Sequence, residues 1–214
     1  MIFEMSILES DSQIRTLILE AMKDHMQTAI NSSSKDIIGQ IKIIVLDALK
    51  TEPEYESLKS GTLRYELGIP DTSVVDSVVD KMVDTLRLNT KPVGITNFGL
   101  NGGYELTMLE SDSIGGIIND EDAFVNDEIR GYKLPWLKWL LLEGNKPIVR
   151  QYEVKIGPNK SSRTGAAIMV DSDKNWRVPP EFAGSVTNNW TTRAIDKIEK
   201  QILEAIRLSV EKYV

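Results

Sequence analysis

The sequence predicts an α+β fold. Three observations point there: helical periodicity fills the first ninety or so residues, strand and hairpin signals follow, and a long amphipathic stretch closes the chain. Runs of each element are segregated instead of alternating. The expected architecture is N-terminal helices, a central antiparallel sheet with an inserted short helix, and a long C-terminal helix packed on the sheet. The expected division is a helical region over 1–90, and a sheet plus C-terminal helix over 91–214 that forms one compact unit with part of 55–90.

After the capping-type residues Asp11 and Ser12, apolar residues recur at helical spacing through Ile14, Leu17, Ile18, Ala21, Met22, Ala29 and Ile30. Asn31-Ser32-Ser33-Ser34 reads as an interruption, with Ser33 or Ser34 capping a second helix. That helix carries Ile37, Ile38, Ile41, Ile44, Val45, Ala48 and Leu49. Pro53, Gly61 and Gly68-Ile69-Pro70-Asp71 mark a turn region. A third helix is expected over Ser73–Arg87, with Val75, Val78, Val79, Met82 and Leu86 inward.

Val93–Phe98 and Tyr104–Leu109 flank Gly99-Leu100-Asn101-Gly102-Gly103, a hairpin signal. Leu134–Glu143 reads as a short helix, with Pro135 in its first turn and Gly144 as its stop. Val149–Ile156 and Ala166–Val170 read as strands joined by a turn over Gly157–Gly165. Asn188–Tyr213 is the final helix, striped by Ala194, Ile195, Ile198, Ile202, Ala205, Ile206, Ser209 and Tyr213.

Composition excludes several classes of chemistry. The 214 residues contain no cysteine, so disulfides, thiol catalysis and thiolate metal sites are all ruled out. One histidine, His25, is a poor basis for nucleophilic catalysis on a helix beside Asp24. The formal charge of -7 argues against a protein that grips nucleic acid by its phosphates. No apolar run is long enough to span a bilayer, because Leu134–Leu142 is broken by Pro135 and Lys138. Acids near the start of the chain stand where a signal peptide needs a basic end, so export is not expected.

Apparent motifs fail on spacing. Asp171-Ser172-Asp173-Lys174-Asn175 imitates a calcium loop, but Trp176 and Phe182 occupy the positions that need Gly and Glu, leaving a solvated turn. Gly157-Pro158-Asn159-Lys160-Ser161-Ser162 lacks the Gly before Lys that a phosphate loop requires. Asn119-Asp120-Glu121-Asp122 could meet magnesium but offers no fixed scaffold. Asn31-Ser32-Ser33, Asn159-Lys160-Ser161 and Asn189-Trp190-Thr191 match the glycosylation pattern by chance. No cofactor is expected.

Charge is unevenly placed. Glu105–Glu128 carries eight acids and no base, whereas Lys146–Arg163 carries five bases against Glu153 alone. Each reads as a solvated face, or as one of two complementary surfaces on neighbouring subunits. The tryptophans read as core packing, or alternatively as interface anchors.

Four pieces in order carry a family resemblance: Leu58-Lys59-Ser60-Gly61-Thr62-Leu63-Arg64, LPWLKWLLLEG over 134–144, Ser162-Arg163-Thr164-Gly165-Ala166-Ala167-Ile168-Met169, and WRVPPEFAG over 176–184 running into Asn189-Trp190-Thr191-Thr192-Arg193-Ala194-Ile195. Their succession resembles the tail-component family of tailed-bacteriophage neck proteins, which includes tail-completion and tail-terminator proteins. The longer N-terminal helices and the acidic stretch depart from that pattern.

The resemblance implies a structural virion protein, not an enzyme, assembled in the host cytoplasm. It implies a six- or twelve-fold homo-oligomeric ring at the head–tail junction that touches neck, connector or tail-tube proteins, lets DNA pass without specific binding, and involves no membrane. Candidate interface residues are Trp136, Trp139, Lys155, Lys160, Arg163, Trp190 and Arg193. Candidate channel-facing acids are Asp112, Asp120, Glu121 and Asp122. Alternatives are a head-completion or stopper adaptor on the portal side, a metal-dependent nucleic-acid enzyme using Asp120, Glu121 and Asp122, and a scaffold that pairs through its C-terminal helix.

Overall fold

A computed structural model describes residues 10–127 and 131–214, and the fold is α+β as the periodicity predicts. Helix α1 (Asp11–Thr51) leads into α2 (Pro53–Lys59), α3 (Thr62–Leu67) and α4 (Ser73–Asp84). Strands β1 (Arg87–Thr96) and β2 (Gly99–Thr107) form a long hairpin, followed by α5 (Ser111–Ile118) and a 3-10 turn at Glu121–Ala123. A short pair, β3 (Val125–Asp127) and β4 (Tyr132–Leu134), precedes α6 (Trp136–Lys138), which continues as a π turn over Trp139–Glu143. Strands β5 (Val149–Ile156) and β6 (Ala167–Trp176) make a ribbon, and α7 (Trp190–Val210) ends the order. The strands form three separate two-stranded antiparallel sheets among the described residues, not one central sheet.

Contacts divide the chain into two compact units. One comprises Met1–Gln40, Arg87–Thr107 and Leu203–Val214; the other comprises Ile41–Leu86 and Met108–Ile202. Helices α1 and α7 each supply residues to both.

Helix α1 is unbroken for 41 residues, so the expected interruption at Asn31–Ser34 is absent. Ser33 Oγ donates to the Ala29 carbonyl at 2.7 Å, and Ser34 Oγ donates to Ile30 O at 2.8 Å. Hydroxyls that could have capped a new helix bond back into the existing one instead. Ser33 is fully buried with its Oγ 2.6 Å from the Tyr104 hydroxyl, which itself donates to Ile30 O at 3.0 Å. The propensity cost of Asn and Ser, about 0.5 kcal/mol each, is outweighed by burying Ala29, Ile30 and Ile37 around them.

The region around Pro53 and Gly61 holds two short helices instead of a turn. Pro53 opens α2 at its first position, where the missing N–H costs nothing. Gly61 precedes α3, where a Cβ would sit 2.8 Å from Ser57 Cα. Gly68 ends α3 with φ +69. Helix α4 stops at Asp84, three residues before the expected end, because Arg87 already begins β1.

The first hairpin turns at Asn97-Phe98, with Thr96 paired to Gly99, and not at the glycine cluster. The glycines serve a bulge instead: the register shifts between Lys91 and Gly94, around Pro92, which cannot donate to a ladder. Gly102 lies so close to this bulge that a Cβ there would meet Val93 Cα at 2.9 Å.

Strand β6 runs on to Trp176: Asp171 and Asn175 pair with β5, and Ser172–Lys174 form a bulge within the strand, exposed at Asp173 and Lys174, in place of the expected turn before Trp176. A second register shift, between Arg150 and Tyr152, leaves Gln151 at φ +62. Gly157–Gly165 does connect the two strands, as expected. Helix α7 begins two residues later and ends three residues earlier than expected; Ala194, Ile198, Ile202, Ala205 and Ser209 are its buried stripe.

The core of the second unit collects Ile41, Val45, Leu49, Leu58, Leu63, Leu67, Ile69, Val75, Val78, Val79 and Met82 with Trp136, Leu137, Leu140 and Trp190. Both indoles are fully buried and keep their polar edge satisfied: Trp136 Nε1 donates to Asp122 O at 2.9 Å and Trp190 Nε1 to Leu49 O at 3.1 Å.

Candidate functional site

The residues expected at an interface divide into two groups. Trp136 and Trp190 lie in the chain's own interior and have no surface left to offer a partner. Trp139 is half-buried, with its ring edge-on to Trp176 at 6.1 Å between centroids. Arg193 is also committed internally: it pairs with the buried Glu54 and donates to Asn188 Oδ1 at 2.8 Å.

The ribbon charges remain outside. Lys155 leans toward Glu153 at 3.8 Å, and Lys160 is exposed in the Gly157–Gly165 connection. Arg163 is exposed, but its guanidinium lies over Gly68, where a Cβ would stand 2.8 Å from Nη2.

The acidic stretch divides in the same way. Lys81 Nζ bridges Asp120 at 2.7 Å and Asp122 at 2.8 Å, and Ser77 Oγ donates to Asp122 at 2.5 Å. Hydrogen bonds from the Lys81 ammonium hold both carboxyls below the ordinary aspartate range. These two acids are therefore fastened to α4 and do not stand open, whereas Asp112 and Glu121 are exposed. Glu128 lies outside the described residues. Among the described residues no three His, Asp or Glu side chains gather where a metal could sit, and His25 is exposed with its ring beside the Val214 main chain.

Sequence reasoning missed Glu66, which carries the clearest electrostatic tension in the second unit. It is half-buried on α3 and lines a cavity of about 60 Å³ against Val154, Arg163 and Met169 of the ribbon segment. Burial raises its pKa and Glu181 adds to the rise, while the Trp176 indole N–H, short of a hydrogen bond, pulls the other way. Its Oε2 is buried with no hydrogen-bond partner. A carboxyl that holds its proton more tightly when folded stabilises the fold fully below the ordinary glutamate value, and that contribution disappears as pH rises through the raised value. Glu66→Gln is therefore expected to be more stable than the parent near pH 7. The advantage should vanish toward about pH 4, as read from melting temperature against pH. A constant offset across that range would show that Glu66 holds its proton no more tightly in the folded chain than in the unfolded one.

The remaining feature is exposed apolar surface. On α1, Leu17 is 59%, Ile18 52% and Met22 49% exposed, and with Ile14 and Ala21 they trace one stripe. Helical spacing puts these positions on one face, where Ile14 is half-buried but Leu17, Ile18, Ala21 and Met22 stand exposed. An amphipathic stripe looks the same in sequence whether its cover is intramolecular or not. Phe98, in the turn of the first hairpin, is 99% exposed, and Arg15 of α1 donates to the neighbouring Asn97 O at 3.1 Å. On the ribbon, Tyr152, Ile156 and Met169 are also exposed.

No protein family, no curated protein and no solved structure matches this chain. Among the described residues no helix is long and apolar enough to cross a membrane.

Proposed function

We propose that this chain is a structural virion protein of a tailed phage, forming a homo-oligomeric ring in the neck at the head–tail junction, in a tail-completion or tail-terminator role. The observation that carries the assembly part is the exposed stripe of Leu17, Ile18, Ala21 and Met22 on α1, accompanied by Phe98. Soluble monomers seldom leave a contiguous apolar face open to water, because covering it gains about 25 cal/mol for each Å² removed. The order of the four sequence pieces supplies the setting. Of the acids named for a DNA-facing surface, Asp112 and Glu121 are exposed and can serve it, whereas Asp120 and Asp122 share the ammonium of Lys81. The metal-dependent enzyme reading loses support for the same reason: a cation at Asp120 and Asp122 would have to displace an ammonium group.

Electron microscopy of the purified protein should reveal rings of six- or twelve-fold symmetry, and antibody labelling should place the chain at the neck of the particle. Labelling on the portal side would select the head-completion adaptor. A protein that stays monomeric at every concentration and is absent from virions would overturn the proposal.

A further inference from the structure

Among the helices, α3 makes the main contact with the β5–β6 ribbon. A two-stranded ribbon is marginal by itself, so this seam governs how firmly it is held. The seam contains two unmatched polar atoms. Glu66 Oε2 is buried without a hydrogen-bond partner, and so is the indole N–H of Trp176 at the end of β6. The cavity of about 60 Å³ lies beside the carboxyl, and its ribbon wall is Val154, Ala167 and Met169, whose side chains offer no hydrogen-bond donor. That space has room for water, which needs about 15 Å³ of it.

Few charged or titratable groups face Glu66. Tyr65 of α3 itself and Arg163 of the strand connection line the same cavity, with the Arg163 guanidinium over Gly68. Glu181, in the segment after β6, repels a charge on Glu66, whereas the Trp176 N–H favours one. Burial outweighs that attraction, so the neutral acid is the form the seam accommodates.

We propose that the seam between α3 and the β5–β6 ribbon is a pH-operated latch, closed while Glu66 carries its proton and loosened when the carboxylate forms and draws water into the cavity. Because burial makes the folded chain hold that proton more tightly, the latch is firmest below the ordinary glutamate value. It weakens as pH rises through the raised one. One carboxyl thus sets how firmly the ribbon, with its exposed Tyr152 and Ile156, is seated. The device belongs to the single chain and does not depend on the proposed ring.

Hydrogen–deuterium exchange of the full chain, corrected for the intrinsic pH dependence of amide exchange, tests the latch. Between about pH 4 and about pH 8, protection of the β5 and β6 amides should fall roughly tenfold in the parent and stay constant in E66Q. The α4 amides should keep theirs in both proteins. In the parent alone, the side-chain carboxyl carbon of Glu66, followed by nuclear magnetic resonance, should titrate with the same midpoint as the loss of protection. Constant ribbon protection in the parent would overturn the latch, as would an equal fall in E66Q or a carboxyl midpoint that does not coincide. A fall shared equally by α4 would overturn it too, since Glu66 would then govern the whole unit and not the seam.

Discussion

Replacing Gly184 with alanine is expected to cost more than 3 kcal/mol and to lower the melting temperature by roughly ten degrees. A Cβ built there would lie 1.7 Å from the Leu140 carbonyl oxygen and 2.9 Å from Asn189 Cβ. Neither neighbour can yield cheaply. Leu140 lies inside the π turn of Trp139–Glu143, and Asn189 is itself buried. Gly144 is the opposing half of the same crossing: its N donates to Gly184 O at 3.1 Å, and a Cβ on it would meet Gly184 N at 2.6 Å. The effect is one of space, because neither glycine has positive φ. Gly39→Ala provides the opposite control. It lies in α1 with nothing within 4 Å of the added methyl, and should stabilise by about 0.5–1 kcal/mol. Urea denaturation of the three proteins checks the ordering; equal midpoints for Gly184→Ala and the parent would show that the crossing is looser than these distances.

Arg193→Ala is expected to cost about 3–5 kcal/mol. Glu54 is fully buried, and its Oε2 already has no hydrogen-bond partner, so the Arg193 guanidinium is the cation that makes its charge tolerable. Removing that cation leaves a buried carboxyl group without its counter-charge. The neighbouring pair makes a useful contrast. Glu52 is buried too, but Lys197, bonded to both its oxygens at 2.7 and 2.8 Å, is 62% exposed. Water can take over part of that role, so Lys197→Ala should cost less. If the burial of an unpaired charge is the cause, Glu54→Gln combined with Arg193→Met should recover most of the loss. A double variant as unstable as Arg193→Ala would point to packing of the arginine stem instead.

What could be read from sequence followed the range of the physics involved. Helix periodicity is local, so α4, α7 and the two halves of α1 are legible, though not their continuity, as is the Gly157–Gly165 connection between strands. Ser33 reads as a cap because its hydroxyl suits one as well as a bond to Ala29 O; the deciding partner, Tyr104, is 71 positions away. The glycines before Tyr104 read as a turn because a bulge at Pro92 on the opposite strand is not visible from their own segment. The charge asymmetry was legible, but which charges were already engaged was not. Lys81 comes 39 residues before Asp120, and only the fold brings them together. For the tryptophans, sequence left core and interface open, and burial assigned Trp136 and Trp190 to the interior.

All four tryptophans belong to the unit formed by Ile41–Leu86 and Met108–Ile202. Intrinsic indole emission therefore reports on that unit alone and is silent about the other, whose described aromatic residues are tyrosine and phenylalanine. A melt followed by fluorescence and by far-ultraviolet circular dichroism together separates the two: coincident curves mean one cooperative transition, and a dichroic change before any spectral red shift means that the tryptophan-free unit opens first.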